Sequence, residues 1–91
     1  MSVLPSLSAL RCFDASARHG SFTLAAQEVH LTQSAVSHQI RGLEAQLGLP
    51  LFVRSRGGLR LTEAGRAYWS EVAVALRQLE RATQNLLMHQ G

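Results

Sequence analysis

A chain of 91 residues can bury only one modest core, so it is expected to be one small domain, or one domain plus an appendage. With 46% hydrophobic residues, two prolines and no Gly/Ser/Pro-rich or like-charge block, the composition excludes a disordered tail; the apolar runs at 49–53 and 72–76 fall far short of the roughly 20 residues of a membrane helix. The net charge of +3 lies entirely between His30 and Arg66, where five arginines (41, 54, 56, 60, 66) meet two glutamates (44, 63), a balance that favours a polyanionic partner.

Leu7, Leu10, Phe13 and Ala17 recur at three- and four-residue steps, predicting an amphipathic helix over about residues 6–19, opened by Pro5 and Ser6 and stopped by Gly20. Cys12 falls inside this pattern. As the single cysteine it excludes a disulfide, and it is expected to pack as a small, partly buried apolar residue. Ser21 then caps a short second helix with Phe22, Ala25, Ala26 and Val29 along one stripe. His30 follows where a tight turn asks for positive φ, a conformation in which His is enriched among non-glycine residues. His19, His30, His38 and His89 are too scattered to hold a metal, and no cofactor is expected.

Thr32 caps a third helix that runs to Leu47 before Gly48. At 100° per residue Val36, Ile40, Leu43 and Leu47 share one side, while Ser34, Ser37, His38 and Arg41 share the other, with Gln33 beside them in the first turn. Two helices joined by a short turn, the second carrying such a face, make a helix-turn-helix over about residues 21–47. A helix entering a major groove needs short side chains that donate and accept hydrogen bonds, which Ser, Gln and His provide. Gln33 suits adenine, Ser37 and His38 suit several bases, and Arg41 is better placed for phosphate. An ordinary solvated polar face is the plain alternative.

After Gly48 the period shortens. Residues 49–53 and 59–61 read as two strands around a Gly57-Gly58 turn flanked by arginines, a hairpin of about 51–61 whose Arg54 and Arg56 would touch the DNA backbone or minor groove. A phosphate cradle is excluded, because the lysine and spacing of a P-loop are missing. Thr62 starts a last helix that can run to about His89, far longer than this core needs. Its Tyr68, Val72, Ala75, Leu79, Ala82 and Leu86 repeat at four- and three-residue steps, with Leu76 widening the stripe, so a second copy of the chain is expected along it.

The run SFTLAAQEVHLTQSAVSHQIRGLEAQLGLPLFVRSRGGLRLTEAG, from Ser21 to Gly65, closely resembles the N-terminal domain of LysR-type transcriptional regulators, and ALRCFDASARHG fits their first helix. The LPSL start and the SHQI form look most like the branch containing regulators of glycine cleavage and of β-lactamase expression. The resemblance implies a mainly α fold: a winged helix-turn-helix of three helices and a β-hairpin over residues 5–61, then a linker and dimerisation helix over 62–90. It further implies that Thr32, Gln33, Ser34, Ser37 and His38 face the groove, that Ser21 and Thr23 contact the backbone, and that Arg54 and Ser55 belong to the wing. Where many members have Arg, this sequence has His38, which lacks the guanidinium fork for guanine.

The expected function is sequence-specific binding of double-stranded DNA, as a homodimer on a dyad-symmetric site, without enzymatic chemistry. A tetramer is open to a full-length protein, and a small-molecule effector would act only through a C-terminal domain that this chain lacks. The N-terminus has no basic secretion signal, so a cytoplasmic, nucleoid-associated location and no membrane partner are expected. A winged-helix module that binds a protein partner is the alternative from another class.

Overall fold

Side-chain hydroxyls begin all four helices of the computed structural model, which describes residues 3–89. Ser6 Oγ accepts the N–H of Ala9 at 3.1 Å to start α1 (Leu7–His19), and Ser21 Oγ accepts that of Leu24 to start α2 (Phe22–Val29). Thr32 Oγ1 accepts from Ala35 ahead of α3 (Gln33–Leu47), and Thr62 Oγ1 from Gly65 ahead of α4 (Glu63–Met88). Each cap satisfies an N–H that the helix cannot pair itself. The first three helices end in left-handed residues, Gly20, His30 and Gly48, whose N–H groups turn back to the carbonyls of Ser16, Ala26 and Glu44. His30, at φ 60°, is the one non-glycine residue in that region among those described, as its turn position predicts. The expected end of the linker helix at residue 90 lies outside the described residues.

Strands β1 (Phe52–Ser55) and β2 (Gly58–Leu61) pair antiparallel, with Phe52 opposite Leu61 and Ser55 opposite Gly58. The turn is therefore Arg56-Gly57, one residue earlier than the Gly-Gly turn expected. Gly58 opens β2 instead, at φ 111°, and Ser55 Oγ donates to its carbonyl to close the tip. Alternation along the hairpin puts Phe52, Arg54, Leu59 and Leu61 on the face toward the helices. Glu44 ties the hairpin to α3, its Oε2 accepting the N–H groups of Leu51 at 2.7 Å and Phe52 at 3.3 Å.

The core gathers Cys12 and Phe13 of α1, Val36, Ile40 and Leu43 of α3, and Leu51 at the hairpin entry. Phe13 meets Phe52 edge to face and stacks on Tyr68, both at 5.6 Å, while Phe22 meets Phe52 edge to face at 5.8 Å. Such pairs add about 0.5–1.5 kcal/mol beyond the area they bury. Cys12 is 1% exposed, more deeply placed than expected. The buried face of α1 carries Ala9, Cys12, Phe13 and Ser16, so it is rotated from the stripe read off the sequence; Leu7 stays exposed, and Leu10 and Ala17 are half-buried.

The 26 residues of α4 span roughly 39 Å at about 1.5 Å each, and α1 lies across only the first half. That divides the expected seam in two. Val72 and Leu76 are buried in the monomer and Tyr68 packs against its core, because α1 already covers them. Ala75, Leu79, Ala82 and Leu86 remain exposed, Leu79 at 54% and Leu86 at 62%.

A polar knot joins α1 to α4. Asp14 is buried; its Oδ1 accepts from Trp69 Nε1 at 3.0 Å, and its Oδ2 from Arg77 at 2.9 Å and Arg18 Nε at 3.1 Å. Burial alone would raise this carboxyl, but the hydrogen bonds from Trp69, Arg77 and Arg18 outweigh it and hold Asp14 below the ordinary carboxylate range. Arg18 also grips Glu28 on α2, where His19 Nε2 lies 2.8 Å from the same carboxylate.

Candidate nucleic-acid interface

Turning from α2 into α3 through His30 leaves one side of α3 uncovered. Thr32, Gln33, Ser34, His38 and Arg41 are all exposed there. The Thr32 hydroxyl is engaged as the helix cap and lies 3.4 Å from that of Ser34. Ser21 is half-buried and likewise serves as a cap, with Thr23 exposed in the first turn of α2.

Ser37 departs from expectation. It shares the polar side of α3, yet it is only 7% exposed, because Arg54 reaches across from β1 and donates to Ser37 Oγ at 3.4 Å. The guanidinium of Arg54 also sits 5.1 Å from the centre of the Phe22 ring. Such a cation over an aromatic face gains about 0.5–1 kcal/mol at exposed sites. Arg54 thus lies on the helix-facing side of the hairpin rather than at its tip, while Ser55 and Arg56 are exposed at the tip itself.

The electrostatics of the surface follow from where the acids go. Asp14 and Glu28 are paired with Arg18 and Arg77 on the α1–α4 side, and Glu44 turns its carboxylate to the backbone N–H groups of the hairpin entry. Among the described residues none of Arg41, Arg54, Arg56, Arg60 and Arg66 is in an ion pair. The face formed by α3 and the hairpin is therefore neutral to positive, which suits phosphates. Arg60, opposite Val53 on the outer strand face, and Arg66, in the first turn of α4, are exposed as well. Both entered the charge count, but no pattern in the sequence singled them out as site residues. Among the described residues no group of three or more His, Cys, Asp or Glu could hold a metal, and no helix is long and apolar enough to cross a membrane.

Three packed helices, a short turn before an uncovered polar helix, and an arginine-bearing hairpin beside it define a winged helix-turn-helix DNA-binding domain. Residues 7–66 match the model of the bacterial regulatory helix-turn-helix proteins of the lysR family, and the chain belongs to that family. It is similar to the glycine cleavage system transcriptional activator of Escherichia coli, with 54% identity over 83 residues, 91% of this chain and 27% of that protein. It is also similar to the HTH-type transcriptional activator AmpR of Providencia stuartii, with 51% identity over 78 residues, 86% of this chain and 27% of that one. The chain thus spans about a quarter of the length of these relatives, both of them transcriptional activators. Among solved structures, a CbnR_DBD–DNA complex superposes with a TM-score of 0.77 at 30% identity over 100% of both chains. A BenM_DBD complex with benA site 1 DNA superposes at 0.84 and 27% identity, over 94% of this chain and 97% of that one.

Proposed function

We propose that this domain reads a DNA operator, with α3 in the major groove, and that it does so as a dimer. Gln33, Ser34 and His38 face base edges and Arg41 faces phosphate. Thr32 faces the groove beside them at the start of α3, Ser21 and Thr23 touch the DNA backbone from the start of α2, and Ser55 and Arg56 of the wing follow the backbone or minor groove. Arg54 anchors that wing over α3, and Ser37 acts beneath it. The observation that carries this is the uncovered, acid-free face of α3 beside arginines that enter no ion pair among the described residues. The DNA-bound state of the structural neighbours supports it and disfavours a protein-interaction module.

Ala75, Leu79, Ala82 and Leu86 on the free half of α4 form the dimer contact, with Tyr68, Val72 and Leu76 beneath it in each monomer. A two-fold pair of heads calls for a dyad-symmetric site. In the full-length protein, a tetramer, an effector-binding C-terminal domain and a cytoplasmic, nucleoid-associated location belong to the same proposal. Selecting bound duplexes from a random pool tests it: a recovered two-half motif is the expected result, and Gln33→Ala should flatten base preference within a half. Unchanged preference in Gln33→Ala would remove the readout assigned to α3.

A further inference from the structure

The polar knot around Asp14 sits where the reading head meets the long helix, and the head's function leaves its arrangement unexplained. The apolar contacts of Phe13 with Tyr68, and of α1 with Val72 and Leu76, hold the two parts together without fixing their angle, because burial is non-directional. Hydrogen bonds to a carboxylate are directional and strong. Asp14 has three of them, and the two from α4 come from Trp69 and Arg77, eight residues apart. Their backbones are separated by about 12 Å along the helix axis, and the carboxylate must lie between them. Sliding α4 toward either end, or tilting it on α1, lengthens one of these bonds. Through Arg18 and Glu28 the same knot reaches α2, the helix that sets the turn into α3.

We infer that Asp14, Trp69 and Arg77 are positioning residues that fix the tilt of the reading head on α4, and so select the spacing between the two half-sites that a dimer accepts. The inference rests on the dimeric DNA-binding function proposed above. From Arg77 to Met88, α4 continues for roughly 17 Å with no buried residue. At the end of that lever a tilt of about 10° moves the helix by about 3 Å. One added base pair displaces a half-site by about 3.4 Å and turns it by about 34°. A loosened knot therefore admits most of the displacement of a one-base-pair change in spacer and part of its turn, which blunts the preference that an intact knot imposes.

Two substitutions test this without emptying the core. Arg77→Gln removes the outermost bond from a half-exposed side chain, and Trp69→Phe removes the indole N–H together with part of the ring system while keeping an aromatic ring against the core. The proteins are titrated against a duplex carrying one selected half-site, then against two-half-site duplexes whose spacers differ by single base pairs. The expected result is unchanged affinity for the single half-site, with preference among spacers reduced severalfold in both variants and partly restored in Arg77→Lys. Variants that keep the wild-type spacer profile overturn the inference while leaving the dimeric function intact. Wild-type protein indifferent to spacer overturns that function, and the inference with it. Loss of single-half-site affinity in Arg77→Gln would assign the knot to holding the fold, and would likewise overturn the inference.

Discussion

A side-chain carbon on Gly65 would lie 2.1 Å from the carbonyl oxygen of Leu51, so the first turn of α4 and the entry to the wing meet backbone to backbone. Thr62 locks the same junction: its N–H donates to Leu51 O at 2.9 Å and its hydroxyl to Pro50 O at 2.8 Å. The obstructing atom is main chain and cannot swing aside. Gly65→Ala is expected to destabilise the domain by about 1–3 kcal/mol or more, the range of forced overpacking, and to lower the midpoint of urea unfolding.

Arg54 and Arg56 are separated by one residue and do different work. Arg56 stands at the wing tip with no partner among the described residues, so Arg56→Ala should weaken binding to all sequences alike and reduce the salt slope by about 1. Arg54 spans Phe22 and Ser37. Arg54→Ala should therefore also free the wing from α3 and change which bases are preferred. Titrations of selected and scrambled duplexes over a salt series separate the two outcomes.

Acid should loosen the α1–α2 side first. The hydrogen bonds from Arg18 draw the Glu28 carboxyl down from its ordinary value of 4.5 to about 2 against the opposing effect of burial, with a lesser contribution from His19, and Asp14 is lowered too. A carboxylate with a depressed folded pKa stabilises fully above its unfolded value and loses that contribution as pH falls through the folded one. Unfolding free energy should thus decline from about pH 4.5 toward 2. Glu28→Gln should remove part of that slope in urea titrations across the range.

The two halves of α4 should respond oppositely to substitution. Leu76→Ala, in the monomer core, is expected to cost about 2–5 kcal/mol of folding stability. Leu79→Glu and Leu86→Glu place charge on exposed positions, so they should leave the melting of the head unchanged while shifting sedimentation from dimer to monomer. Dimeric Leu79→Glu and Leu86→Glu proteins would show that the free half of α4 is not the contact.

The helix boundaries were legible because they are written locally. Ser6, Ser21, Thr32 and Thr62 stand one residue before their helices, and Gly20, His30 and Gly48 one residue after. What depends on distant residues was not. Helical periodicity placed Ser37 on the uncovered side of α3 correctly, but could not foresee an arginine seventeen residues later folding over it. The heptad-like stripe of α4 was visible, whereas the point at which α1 stops covering it was not. Asp14 belonged neither to the apolar stripe of α1 nor to the basic middle region of the sequence. Its i, i+4 relation to Arg18 was the one available clue, and nothing local pointed to Trp69 or Arg77.

Cys12 gives the molecule a built-in clock. The chain has one thiol, held at the centre of the head, and burial pushes its pKa above the ordinary thiol range, so the reactive thiolate is scarce as well as hidden. An alkylating reagent meets it when α1 lifts away, and the labelling rate then counts those openings. Slower labelling in the presence of operator duplex would show that engagement at α3 stills a helix on the opposite side of the core.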